Sequence, residues 1–232
     1  YQLKISSGQL IAATPPSISN DTSWYDRGTT VVTTYNNIWY VSYNSRLNAV
    51  GYRLDGGKES PIPRADSGAF QVSLMMNAPH VIDVDAVPQY LLSLSFTDNS
   101  ESHGILPTKL QLDIQGFGIR SIQDMKVWLD NGTSFSVVSV IWEGVDVKPQ
   151  DLTRFTLNGP TSMVFRTRVF DAAIRATDGF GIPVSGASAD IALANGTTIS
   201  RITGSNGTIT MSMIPLGTYE VTMTHLGAST QS

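Results

Sequence analysis

Along this chain apolar residues recur at every second position far more often than at every third and fourth. Phe135, Val137 and Ser139 alternate with Ser134, Ser136 and Val138, and Tyr219, Val221 and Met223 alternate with Glu220, Thr222 and Thr224. Successive side chains of a strand point to opposite faces, so both runs predict half-buried antiparallel strands. Asp55-Gly56, Asn131-Gly132, Asn195-Gly196 and Asn206-Gly207 lie between such runs. They predict hairpin turns of type I′, in which both central residues take positive φ. The best candidate for a helical turn is Ser121 to Lys126. The pattern as a whole predicts an all-β chain of tandem small domains.

Landmarks occur twice in the same order. Trp24-Tyr25-Asp26-Arg27-Gly28-Thr29 is followed by Trp39, and Trp128-Leu129-Asp130-Asn131-Gly132-Thr133 by Trp142. Met76-Asn77-Ala78-Pro79 then precedes an alternating run ending at Tyr90, as Leu157-Asn158-Gly159-Pro160 precedes one ending at Phe170. Three alternating runs open on an aromatic, at Tyr1, Tyr90 and Phe170. These openings predict modules over 1–89, 90–169 and 170–232, the second a divergent copy of the first. The chain thus starts at a module boundary, which fits excision from a longer array and fits natural processing equally. In the shared Trp-x-Asp-x-Gly-Thr pattern, Trp24 and Trp128 are expected to anchor a strand end. Asp26 and Asp130 would cap the turn through their carboxylates, and Gly28 and Gly132 would supply positive φ. An exposed tryptophan stacking on a sugar is the alternative to core packing.

Composition narrows the classes. Of 232 residues only 15% are charged, with net charge -4, so no basic face exists for phosphate and nucleic acid is excluded as a partner. Hydrophobic residues at 41% are too many for a disordered chain, and no apolar run approaches the ~20 residues that span a bilayer. Cys is 0, which removes disulfides, thiolate metal sites and cysteine nucleophiles together. In place of charge the chain carries 26 Ser and 23 Thr, many on the outward phase of predicted strands.

Two resemblances follow from the motifs. Trp24 to Thr29, Trp39 and Asn77 to Pro79 resemble the surface repeats related to the internalin-type B repeat; the second copy departs from that pattern, with Leu129 in place of the tyrosine and a shortened last half. The third module is similar to carboxypeptidase-regulatory-like domains, the transthyretin-type Greek-key sandwiches, over about 170–228. Ala176 to Ala187, Thr203 to Gly207 and Ile214 to Val221 carry that likeness. Together they imply spacer or adhesion modules of a prokaryotic, in particular archaeal, cell-surface or surface-layer protein, without enzymatic activity.

Candidate chemistry is sparse. Asn20, Asn131, Asn195 and Asn206 head Asn-x-Thr sequons and are candidate N-glycosylation sites, although Asn-Gly-Thr is also what hairpins favour. Asp83 and Asp85 share a strand face and could form a Ca²⁺ or acid–base pair, against the commoner reading of a solvated face. His80, His103 and His225 show no metal-ligand spacing, and Gly116-Phe-Gly118 and Gly179-Phe-Gly181 read as turns rather than phosphate loops. Met75, Met76, Met211, Met213 and Met223 are expected as core fillers. No catalytic residue, metal or cofactor is expected. The reading is a non-catalytic structural or adhesive array at the cell surface, whose partners are neighbouring modules or subunits and glycans. Two alternatives stand beside it: accessory domains of a secreted peptidase or glycosidase, and a filament subunit assembling by strand donation.

Overall fold

The computed structural model describes residues 1–14, 23–150, 153–226 and 228–231, and among these every regular element is a strand. They form two compact units. The first comprises Tyr1–Leu92, Trp128–Thr133 and Leu157–Thr161. Its strands are β1 (Leu3–Ile5), β2 (Leu10–Thr14), β3 (Thr30–Asn36), β4 (Ile38–Ser42), β5 (Ser45–Leu54), β6 (Ser60–Pro61), β7 (Ala69–Met75) and most of β8 (His80–Thr97). β2, β3 and β7 make one antiparallel sheet. In the other, β1 runs parallel to β8, β8 pairs antiparallel with β5, and β5 with β4 and β6. The inner positions of both sheets share one core, from Val31 and Tyr35 on β3 and Val72 and Leu74 on β7 to Leu3, Ala49, Ile82 and Val84. Alternation dictates this: in β3 every second residue from Val31 is buried. Tyr35 stacks on Phe70 at 5.2 Å and fills the middle of the sandwich. Positions 89 and 90 lie inside the continuous strand β8, paired with Arg46 and Ser45 of β5.

The second unit comprises Ser93–Val127, Ser134–Thr156 and Ser162–Ser232. Its strands continue as β9 (Gly104–Ile105), β10 (Lys109–Ile114), β11 (Gly118–Ile122), β12 (Lys126–Asp130, ending in the first unit), β13 (Ser134–Trp142), β14 (Val145–Asp146), β15 (Phe155–Thr156) and β16 (Thr161–Arg166). β11, β10, β13 and β14 form a sheet in that order, with β15 also on β13. Phe135, Phe155, Phe165 and Phe96 pack as a chain of rings with centroids 5.7–5.8 Å apart. Then come β17 (Val169–Arg175), β18 (Ser188–Ala192), β19 (Thr198–Ile202), β20 (Thr208–Pro215), β21 (Glu220–His225) and β22 (Ala228–Gln231). β17 and β20 form a two-stranded sheet, and β19, β18, β21 and β22 a four-stranded one. Their shared core centres on Ala189, Ile191, Ile209 and Met211.

Three local expectations differ from the structure. Ser121 lies in β11, and Asp124 and Met125 take positive φ, so a tight turn occupies the place of the helical turn. Type I′ geometry occurs at Asp55-Gly56, where both residues have positive φ. At the three Asn-Gly pairs only the glycine does, because the asparagine accepts a local hydrogen bond instead at two of them: Asn195 Oδ1 from the Thr197 amide at 3.0 Å, and Asn206 Oδ1 from Thr208 at 3.1 Å. Finally, the run that begins at Tyr219, expected to be the final strand of the third module, is followed by β22, which pairs antiparallel with β21.

Candidate functional site

Both Trp-x-Asp-x-Gly-Thr motifs lie in the first unit, and they close in the same way. The Thr29 amide donates to Asp26 O at 3.2 Å, and the Thr133 amide to Asp130 O at 3.1 Å. The Gly28 amide donates to Met76 O and the Met76 amide returns to Thr29 O; Gly132 and Thr133 make the same reciprocal pair with Leu157. Met76 and Leu157 are each essentially inaccessible, so the motif and the Asn-x-Pro segment form a turn stapled to a buried apolar anchor. Gly28 and Gly132 have φ of 84° and 80°, as a left-handed turn position requires. The capping bond, however, comes from the aspartate backbone, which frees the carboxylates.

Asp130 uses that freedom and Asp26 stays exposed. The carboxylate of Asp130 accepts from Gln89 Nε2 at 2.9 Å and from Arg64. Gln89 Oε1 in turn accepts from Arg46 Nε at 2.8 Å, and Arg46 Nη2 donates to Asp66 at 2.6 Å. Trp128 lies over this cluster, its ring 4.5 Å from the Arg46 guanidinium carbon and edge-on to Tyr40 at 5.9 Å. Arg46 has a side chain only 3% exposed, and the cluster that holds it consists of an arginine, an amide and two carboxylates in one chain. Beside it, Asn48 Nδ2 donates to Ala65 O and Asn37 Nδ2 to Ser67 O, so side chains of β5 and of the β3–β4 turn tie down the segment 62–68. The sequence pattern missed Arg46 and Gln89; the available signal was charge and amide on the inward phase of strands. Trp24, by contrast, is 43% exposed, and its neighbour Tyr25 takes the core position at 3%. Next to Trp128, Tyr40, Val41 and Tyr43 on the β4–β5 hairpin are exposed.

Three further titratable sites are also held by neighbours. His80 Nδ1 faces Asp55 Oδ2 at 2.7 Å and its Nε2 faces Asn77 Oδ1 at 3.0 Å, so neither ring nitrogen is left to a substrate. Burial would raise the Asp55 carboxyl, but bonds from His80 and the Val81 amide outweigh it and hold the group below its ordinary value. Asp98 has a side chain 3% exposed and closes the loop after β8. Its oxygens take the Ser100 hydroxyl at 2.7 Å, the Ser102 and His103 amides at 2.8 and 3.1 Å, and His103 Nδ1 at 3.3 Å. The Ser100 bond, then the others against the opposing effect of burial, bring it down to about 2. Asp83 lies opposite Arg53 across β5 and β8, and Asp85 pairs with Arg53 at 3.1 Å, so arginine faces the acidic pair. Among the described residues no three His, Asp or Glu side chains gather as a metal site. Asn131, Asn195 and Asn206 are exposed in turns, while Asn20 lies outside the described residues. Of the methionines, Met76 and Met211 are buried, Met213 and Met223 half-buried, and Met75 exposed.

No family model matches the sequence, and no curated protein matches it. Among solved structures, the chain is similar to the TIE protein of Bacillus anthracis at 10% identity over 88% of this chain, with TM-score 0.35. It spans 56% of that protein's length. A streptococcal ancillary pilin matches at 10% identity over 91% of this chain and 73% of its own, TM-score 0.30. The pilus backbone RrgB of Streptococcus pneumoniae matches at 9% over 88% and 84%, TM-score 0.23. These likenesses are too distant to bear on what the chain does.

Proposed function

We propose that the chain is a non-catalytic structural and adhesive array of a prokaryotic, archaeal cell-surface protein, built from modules over 1–89, 90–169 and 170–232. On this reading the first two belong with internalin-B-type repeats and the third with carboxypeptidase-regulatory-like sandwiches. The observation that supports it most is that Arg46, His80 and Asp98, the polar groups best placed to do chemistry, are occupied by other side chains of the same unit. Polar groups satisfied in this way stiffen a fold. Its partners are neighbouring modules, and the exposed turns at Asn131, Asn195 and Asn206 carry glycans. Antibody raised against the folded chain should label intact source cells, and glycopeptides should map to those turns. Labelling seen only after permeabilisation would overturn the surface assignment.

A second reading, a filament subunit, is favoured by one observation: the two-stranded sheet of β17 and β20 leaves strand edges unpaired among the described residues.

A further inference from the structure

The sandwich built from 169–231 is unequally covered. Two strands at about 4.8 Å spacing lie against four, so the smaller sheet spans roughly half the width of the larger. Among the described side chains of the larger sheet, those fully covered are Ala189 and Ile191 of β18. Their partners across β21, Met223 and Val221, face the same side and are half-buried against that core. On the opposite flank Ala189 pairs with Arg201 of β19, an exposed charge, and Ile191 with Ile199, which packs against the same core.

The two edges of the small sheet differ. β20 carries a bulge opposite Asp171, Met213 at φ 59° and a terminal proline, all features that discourage further pairing. β17 has none of them. The Ala176 amide donates to Gly207 O, and Arg175 pairs with Thr208, so the even-numbered residues of β17 turn their amides toward β20. The outward groups are those of Asp171, Ala173 and Arg175. The same phase is seen at Val169, whose outward carbonyl accepts the Asn99 amide at 2.8 Å. Asp171, Ala173 and Arg175 also present exposed side chains on one face, an acid and a base flanking a small residue, with Asp171 Oδ1 accepting the Met213 amide at 3.3 Å.

We propose that the β17 edge is an acceptor for one extended peptide strand of defined pattern. Running antiparallel, the strand carries an acidic residue opposite Arg175, a small or hydroxyl residue opposite Ala173 and a basic residue opposite Asp171. The two positions between are apolar and share the face of Ala172 and Ile174, which pack against the core. Backbone bonds to three outward residues supply affinity, and the two charges supply register and direction. The proposal does not depend on the surface assignment. The edges of β11 and β19 lack this code: self-similar pairing on β11 would place a strand against the central Arg120, and β19 offers Arg201 without an acid.

The test uses the full chain and a synthetic peptide, acetyl-Val-Glu-Val-Thr-Val-Lys-Val-amide, at up to about 1 mM, the range expected for a short strand burying well under a standard interface. Hydrogen exchange of the Asp171, Ala173 and Arg175 amides should slow at least tenfold on binding. A peptide with Glu and Lys exchanged should bind several-fold more weakly. The double variant D171R/R175D should reverse that preference, a result that loss of folding cannot mimic. Absent protection of these three amides at 1 mM, protection centred on another edge, or equal affinity for both peptides would overturn the proposal. Protection that grows with protein concentration without peptide would assign the edge to a second copy and overturn it as well.

Discussion

The sandwich of the first unit and the sandwich over 169–231 solve the same problem with different completeness. In the first, a three-stranded sheet lies against β1, β8, β5 and β4, and Val31, Tyr35, Met76 and Ile82 are all inaccessible. In the second, Val169, Ala189 and Ile191 are inaccessible, and the apolar residues Val221 and Met223 of β21 are only half-buried. The first also contains a polar cluster that locks Trp128 and the segment 62–68 in place, whereas the second has a sheet of two strands, β17 and β20, on one side. The difference teaches that rigidity and pairing capacity are divided between regions: the closed sandwich holds shape, and the open one can accept a strand.

The largest expected effect tests the closed side. Met76→Ala should destabilise the first unit by about 2–5 kcal/mol, because the site is inaccessible and stapled by two backbone bonds. Met223→Ala in the open sandwich should cost under about 1.5 kcal/mol, since a half-exposed side chain loses less contact. Denaturant melts followed residue by residue check both, and equal losses would erase the contrast. Next, Arg46→Ala should cost about 2–3 kcal/mol, as Gln89 loses its donor and Trp128 its cation. Trp24→Ala, in the exposed motif copy, should cost clearly less than Trp128→Ala in the same melts. Smaller again, Gly28→Ala and Gly132→Ala should each cost about 1 kcal/mol, and equally. Both have positive φ with no atom within 4 Å of a new Cβ, so the penalty is backbone strain alone. Gly207→Ala should exceed them, because its Cβ would fall 2.7 Å from Ala176 O.

The last effect is confined to acid. Asp98 is held to about 2, below the ordinary 3.8, so its contribution is complete above about pH 4 and disappears as pH falls through about 2. Asp98→Asn should therefore be less stable than the parent protein at pH 7 and converge with it near pH 2, as read from acid titration by near-ultraviolet dichroism. A constant gap down to pH 2 would assign Asp98 no ionic role.

Much of the architecture was legible in the residues, and the failures are instructive. Period-two alternation placed β13 and β21, and the doubled Trp-x-Asp-x-Gly-Thr and Asn-x-Pro landmarks marked two turns that make the same backbone bonds. Ser121 to Lys126 was misread because Ile122 and Met125 are spaced three apart, as on one face of a helical turn, until pairing of β11 with β10 decides it. The carboxylate of Asp130 was assigned to its own turn, yet it serves Gln89 and Arg64, residues distant in sequence. Local pattern reports what a residue can do for its neighbours in the chain. The polar cluster around Arg46 arises from strand register, as does the outward phase of Asp171, Ala173 and Arg175, and register appears only when strands pair.

The central claim is that the first unit is closed while β17 presents a free edge. Amide exchange on the dilute protein, resolved by residue, tests it most directly. The account predicts that Ala173 exchanges at least a hundredfold faster than its β17 neighbours Ala172 and Ile174, which face β20, and faster than Ile82 and Val84 in the first unit. Protection of Ala173 equal to that of Ile174 in dilute solution would show that the edge is already covered and would contradict the account.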